Sequence, residues 1–218
     1  MSKTKCLLLD FDGPICDIFA GMPASVIASR LRVTLEGAGA ALPKEVRDTS
    51  DPLEIFRFSA SLGEELNRLA HRVLTDLEIK AVGTARPTPG TADLIKHAQN
   101  RGISVGIASN NSAMAVAAFL DHQGLAGQIS YVSARSEDDP SLMKPDPYLL
   151  NQALIHLNAQ PASAVLVGDS VTDIEASKLA GIFAIGYANR SEKVERLAIA
   201  GAGLIVTDMA ELTASLIY

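Results

Sequence analysis

Five short apolar runs, each ending in polar or turn residues, constrain this 218-residue chain more than any other feature. They are residues 6–9 before Asp10, 103–108 before Ser109, 164–167 before Gly168, 183–185 before Gly186 and 204–206 before Thr207. A short run that is apolar at nearly every position leaves no solvated face, which is the pattern of a strand buried on both sides of a parallel sheet. Helical patterns fall between the runs, at residues 91–100, 113–122, 147–157, 173–180, 191–200 and 209–216. Gly102, Gly124, Gly181 and Gly201 follow four of them as stop signals, and Pro147 suits a first helical turn. Strand and helix alternating from about residue 84 onward predict an α/β fold: a doubly wound, Rossmann-like parallel sheet with helices on both faces. In such sheets ligands bind beyond the carboxyl ends of the strands, near the switch point of strand order. Three of the run ends carry side chains able to do chemistry.

Residues 15–82 break the alternation with helices alone. Residues 24–36, 52–62 and 64–77 carry the apolar spacing of amphipathic helices, the last through Leu66, Leu69, Ala70, Val73 and Leu77. The second opens with a capping Asp51, Pro52 in the first turn and Glu54 three residues after the Asp. The predicted organisation is a core from residues 1–14 and 83–218, with a small α-helical domain of residues 15–82 inserted over the site.

The net charge of −6 and pI near 5.2 argue against a nucleic-acid partner, which would need clustered Lys and Arg. No apolar run approaches the roughly 20 residues that span a bilayer. The segment Met1-Ser2-Lys3-Thr4-Lys5 leads into a run too short for a signal peptide, so a cytoplasmic location and no membrane association are expected. Cys6 and Cys16 are then expected to be reduced, small and buried.

Asp10 and Asp12 share one face at a strand end, because side chains alternate along a strand. Two carboxylates this close repel unless a cation lies between them or one holds a proton, so the pair suits a metal site or a base-and-acid team. An Asp-x-Asp also occurs simply as a turn after a strand. Asp169 and Asp173 form a second acidic pair, four residues apart, whose alternative role is helix capping. Magnesium takes a few carboxylates together with waters and phosphate oxygens. Ser109-Asn110-Asn111 offers hydroxyl, amide and backbone N–H groups ahead of a helix, as an anion site or a capping turn. Lys144 sits in Met143-Lys144-Pro145-Asp146-Pro147, where the prolines restrict the backbone around it.

In this order the four motifs resemble those of the haloacid dehalogenase superfamily of phosphohydrolases: Asp10-Phe11-Asp12-Gly13, Ser109-Asn110, Lys144 before Pro145, and Gly168-Asp169 with Asp173. The likeness extends from residue 6 to about residue 212. The helical insert between the first two motifs resembles the C1 type of cap, in the subgroup containing phosphoglycolate phosphatase and β-phosphoglucomutase.

The resemblance implies that Asp10 attacks phosphorus to form an aspartyl-phosphate. Asp12 then serves as general acid and base. Mg2+ would be held by Asp10, the Asp12 backbone carbonyl and Asp169, with Asp173 directly or through water. Ser109, Asn110 and Lys144 would hold the phosphoryl oxygens of a small-molecule phosphate ester. Arg47, in the polar connector of residues 44–50, is the expected substrate contact from the cap. A monomer or small homo-oligomer is expected.

Pro14 departs from the Thr common in the family. Dehalogenases of the superfamily lack the second Asp, so Asp12 speaks against that activity. A phosphonate hydrolase would need a cap lysine, for which Lys44 and Lys80 are available. A β-phosphoglucomutase-like phosphotransferase shares every motif. A non-catalytic phosphate-ligand binder on the same scaffold is the alternative of another class.

Overall fold

A computed structural model describes residues 4–215. The first strand, β1 (Cys6–Leu9), leads through the two-residue β2 (Cys16–Asp17) into four helices. These are α1 (Ala24–Gly37), α2 (Lys44–Asp48), α3 (Pro52–Ser59) and α4 (Glu64–Val82). The chain returns through β3 (Arg86–Pro87) and continues as α5 (Thr91–Asn100), β4 (Ser104–Ser112), α6 (Ala113–Gln123), β5 (Tyr131–Arg135) and α7 (Tyr148–His156). It ends with β6 (Ala164–Gly168), α8 (Val171–Ala180), β7 (Phe183–Tyr187), α9 (Glu192–Ala200), β8 (Leu204–Val206) and α10 (Met209–Ser215). The helix expected at residues 209–216 is described as far as Ser215; residue 216, like Met1, Ser2 and Lys3, lies outside the described residues.

The sheet is parallel, in the order β5-β4-β1-β6-β7-β8. Beside the central strand, Leu9 faces Ile107 of β4 and Val167 of β6. The chain builds outward from β1 on one side and then crosses to the other, which puts the topological switch at the carboxyl end of β1. The expected doubly wound α/β architecture is the one observed. Every residue of β1 is buried, and its side chains divide between two cores. Leu7 and Leu9 join one cluster with Val105, Ile107 and Phe119, whereas Cys6 and Leu8 join another with Leu150, Ala153 and Leu154. That division is the alternation of a strand buried on both faces.

The helical insert hangs from β2 and β3, which pair antiparallel, Cys16 with Pro87 and Asp17 with Arg86. Its apolar faces are not insulated from the sheet. Ile27, Leu31, Phe56 and Leu74 belong to the same buried cluster as Leu9 and Phe119. The entry to α3 forms as its sequence predicts, with Asp51 accepting a hydrogen bond from Leu53 N at 2.8 Å. Among the described residues, no helix is long and apolar enough to cross a membrane.

Several elements differ from expectation; β2 is a strand within residues 15–82, which the sequence reads as helices alone. The connector at residues 44–50 contains the short helix α2. α8 begins two residues earlier than its apolar pattern, because Ser170 caps it in a capping box with Asp173. The edge strand β5, Tyr-Val-Ser-Ala-Arg, was not anticipated: one neighbour suffices for an edge strand, so its sequence need not be apolar throughout. Phe11, between the first two acidic residues, is wholly buried against Phe119 of α6, with ring centroids 5.3 Å apart at 79°. Phe119→Ala is expected to lower stability by about 3–5 kcal/mol, as for other buried Phe truncations, read as a drop in urea midpoint with the slope unchanged.

Candidate active site

The strand end of β1 turns sharply into a loop held from both sides. Asp10 N donates to Val167 O of β6 at 2.9 Å, and the Ile15 and Cys16 amides both donate to Phe11 O, at 3.2 and 3.1 Å. Gly13 N donates to Cys16 O at 2.7 Å. Gly13 has φ 104°, and a Cβ there would lie 2.4 Å from Asp169 Cγ. Only glycine permits both the backbone angle and the close approach of the two acidic loops. The departure at Pro14 is accommodated: its carbonyl accepts from Thr91 Oγ1 at 2.5 Å. Cys6 and Cys16 are buried free thiols, as expected.

Asp173 is fully buried. Its Oδ2 accepts from the Asp169 and Ser170 amides at 3.1 and 3.0 Å and from Ser170 Oγ at 2.6 Å. Its Oδ1 accepts from Lys144 Nζ at 2.5 Å. The same ammonium donates to Ala108 O at 2.8 Å and stands 2.8 Å from Asp10 Oδ1. That last contact is an ion pair at the distance of a charge-assisted hydrogen bond but poorly aligned for one, and Asp10 Oδ1 has no other partner. Asp169 Oδ2 is paired with Lys193 of α9, a residue no sequence motif marked.

The turn after β4 departs from a simple strand end. Pairing with β5 steps from Ser109↔Ala134 to Ser112↔Arg135, so Asn110 and Asn111 are left out of the ladder as a bulge. Both line the cavity. Ser109 lies behind them, wholly buried, its hydroxyl 3.3 Å from Asn111 Oδ1. Asn110 aims its amide at the Lys144 backbone: Oδ1 accepts from Lys144 N at 2.8 Å and Nδ2 donates to Lys144 O at 3.1 Å. The side chain expected to grip phosphate lines the cavity and also fixes the lysine backbone.

The four strand-end segments enclose a cavity of about 360 Å³ with Asp10, Asp12, Lys144 and Asp169 in its wall. The insert contributes Phe19, Asp51, Leu53, Glu54 and Arg57, and α9 contributes Arg196. Arg47 does not line the cavity. It sits on α2, exposed, with Nε 3.3 Å from Glu36 Oε1. The cavity arginine of the insert is Arg57, whose Nη2 donates to Lys144 O at 2.9 Å. Helical position had set Arg57 aside, yet α3 runs along the cavity. Lys44 is exposed and paired with Asp48.

Burial raises Asp10 to about 7, with the charge of Asp173 adding to it and Lys144 opposing. Asp12 is pushed up to about 8, by burial first and Asp169 second, against the hydrogen bond its Oδ1 accepts from Ile18 N at 3.1 Å. Asp169 is raised by burial, opposed by Lys193. Burial alone would lower Lys144, but Asp10 and Asp173 together carry it above the ordinary lysine value.

Asp10, Asp169 and Asp173 bring one carboxylate oxygen each within 4.8 Å of one another. Three clustered hard oxygen donors and the raised pKa values of Asp10 and Asp169 fit a divalent cation such as Mg2+. Asp173 is already committed to four donors, so Asp10 and Asp169 have the freer lone pairs. The Asp12 carboxylate lies outside this group.

A family model for haloacid dehalogenase-like hydrolases matches residues 4–181. A phosphoglycolate phosphatase of Rhodospirillum rubrum is 33% identical over 220 residues, covering 95% of this chain and 89% of that one. A phosphoglycolate phosphatase of Synechococcus elongatus is 29% identical over 185 residues, 83% of this chain and 82% of its own length. The crystal structure of CbbY from Rhodobacter sphaeroides shares the fold with a TM-score of 0.71 at 23% identity, covering 99% of this chain and 100% of that one.

In the metal-free protein, Asp10 and Asp12 keep protons up to about pH 7 and 8 that the unfolded chain releases near pH 4. The folded state therefore binds more protons across that window, and its stability falls as pH rises through it. Melting temperature in chelator is expected to decrease from pH 5 to 8.5. Mg2+ is expected to raise it most at the alkaline end; a chelator curve that rises with pH overturns the assignment.

Proposed function

The chain belongs to the haloacid dehalogenase-like hydrolases, and from that premise we propose a Mg2+-dependent phosphatase that passes the phosphoryl group of a small ester to Asp10 and then to water. The observation that carries this reading is Asp10, buried at the cavity wall with its Oδ1 held 2.8 Å from the Lys144 ammonium. A carboxylate fixed by a cation at the edge of a cavity is placed to attack a group bound there.

The chemistry follows from the two carboxylates' different surroundings. Asp10 attacks phosphorus as the carboxylate, the ester P–O bond breaks, and an aspartyl-phosphate forms. Asp12, protonated to about pH 8, gives its proton to the departing oxygen. As a carboxylate it then takes a proton from the water that attacks the aspartyl-phosphate, releasing inorganic phosphate and restoring Asp10. Lys144 neutralises charge on the transferred group, and the bulge at Asn110 and Asn111 walls that side of the cavity. Mg2+ bound by Asp10 and Asp169 would supply the positive charge that keeps both ionised beside Asp173.

Substrate choice rests on Arg57 and Arg196, the cations of the cavity besides Lys144. Both suit a second anionic group on the ester. Curated relatives named phosphoglycolate phosphatase support a small ester of that kind, carrying a carboxylate beside its phosphate.

Asp10→Asn is expected to lower turnover by roughly 10⁴-fold or more while leaving the circular dichroism spectrum unchanged; substantial residual hydrolysis sinks the nucleophile assignment. Chelation is expected to abolish turnover and added Mg2+ to restore it. Arg57→Ala is expected to raise KM for phosphoglycolate by about 10- to 100-fold, the worth of a charge-assisted hydrogen bond. KM for p-nitrophenyl phosphate, which lacks a second anion, is expected to stay within about twofold. Equal rises in KM on both esters reject the second-anion role.

A further inference from the structure

Outside the cavity, one polar cluster is buried as deeply as Lys144 and Asp173. Glu78 of α4 and Arg135 at the end of β5 form an ion pair at 2.7 Å, each side chain 1% exposed. Neither residue belongs to a motif of the sequence. A buried ion pair is by itself weak evidence for stability, because a well-packed apolar pair often does as well or better. What singles this one out is where its remaining hydrogen bonds go.

They go to the bulge. Arg135 Nε donates to Asn110 O at 3.0 Å. Glu78 Oε2 accepts from Ser112 N at 2.8 Å, and Oε1 accepts from Asn111 Nδ2 at 3.3 Å. A bulge strips backbone groups of their ladder partners, and groups buried without partners are costly. Arg135 and Glu78 supply the missing partners. The guanidinium is further fixed by Thr75 Oγ1 at 3.4 Å and by the Phe56 ring, whose centroid lies 5.1 Å from Cζ. From Asn110 the contacts continue through its amide to both backbone groups of Lys144, and from Lys144 Nζ to Asp10.

We propose that Glu78 and Arg135 are positioning residues that, through the Asn110 bulge, aim the Lys144 ammonium at Asp10. The pair belongs half to the helical insert and half to the sheet, so the insert takes part in setting the nucleophile's surroundings as well as covering them. The catalytic consequence rests on the phosphatase reading above; the positioning does not.

The test uses Arg135→Lys, which keeps the charge but loses the fork, and the double variant Glu78→Gln/Arg135→Met, which leaves no buried charge unpaired should the single variant fail to fold. Amide hydrogen exchange at Lys144, whose N–H is held by Asn110 Oδ1, is expected to accelerate about tenfold or more relative to Leu166 in β6. On p-nitrophenyl phosphate with Mg2+, kcat is expected to fall on the order of 10²-fold, as for small misplacements near chemistry, with KM within about threefold. A purely structural role would lower the melting temperature while leaving relative exchange at Lys144 unchanged. Unchanged relative exchange at Lys144 overturns the proposal whatever happens to turnover. A wild-type protein that hydrolyses no ester overturns the phosphatase reading, and exchange at Lys144 still decides the positioning.

Discussion

The site depends on one buried ammonium. Lys144 Nζ contacts Asp10, Asp173 and the Ala108 carbonyl together, where β1, β4 and β6 end. Asp10, Asp169 and Asp173 bring carboxylate oxygens within 4.8 Å of one another, and burial and mutual repulsion drive Asp10 and Asp169 toward protonation. Lys144 offsets this for Asp10, and Lys193 does so for Asp169. Two paired cations for three ionised carboxylates leave the group one positive charge short of neutrality. That residual negative charge is what draws a further cation to the site. Asp12, outside the group and hydrogen-bonded to Ile18 N, is free to hold the proton that the chemistry needs.

What the sequence made legible follows from what burial demands of it. β1, β6 and most of β4 are covered on both faces, so their apolar runs end where the sheet ends, and the polar residues behind them mark the site. Gly13 and Asp173 were visible for the same reason, as turn and capping residues at those ends. β5 was not legible, because an edge strand has a single neighbour and this one finishes in Arg135. The bulge was not legible either. Asn110 and Asn111 read as a turn, and only pairing with β5 makes them a bulge, turning Asn110 toward Lys144 and placing Ser109 behind the wall. In the insert, Arg47 was chosen because loops more often face sites than helix surfaces do. The contrary outcome at Arg57 comes from tertiary packing: α3 lies across the cavity mouth, and Arg47 finds Glu36 nearer at hand.

The division between insert and core is weaker in space than along the chain. One apolar cluster runs from Leu9 and Phe119 through Phe56 and Leu74 to Ile27 and Leu31, and α4 adds Glu78 to the polar network beneath β4. A segment that shares both an apolar core and a buried ion pair with the sheet is anchored there, whatever freedom the rest of the insert has. The antiparallel pairing of Cys16 with Pro87 and Asp17 with Arg86 ties its two chain connections together, close behind Asp12.

The consequence is clearest at a single peptide group. The Lys144 carbonyl accepts from Asn110 Nδ2 on the core side and from Arg57 Nη2 on the insert side. The Lys144 amide donates to Asn110 Oδ1, and the Lys144 side chain holds Asp10. Arg57 lines the cavity as well, so one guanidinium joins the cavity to the backbone that carries the Lys144 ammonium. Its five donors are more than the one carbonyl can use, and a planar fork can hold that carbonyl while presenting its other edge to an anion. The proposed second-anion contact and the lysine's placement therefore pass through the same side chain: loss of the first is read in KM for an ester with two anions, loss of the second in kcat for every ester.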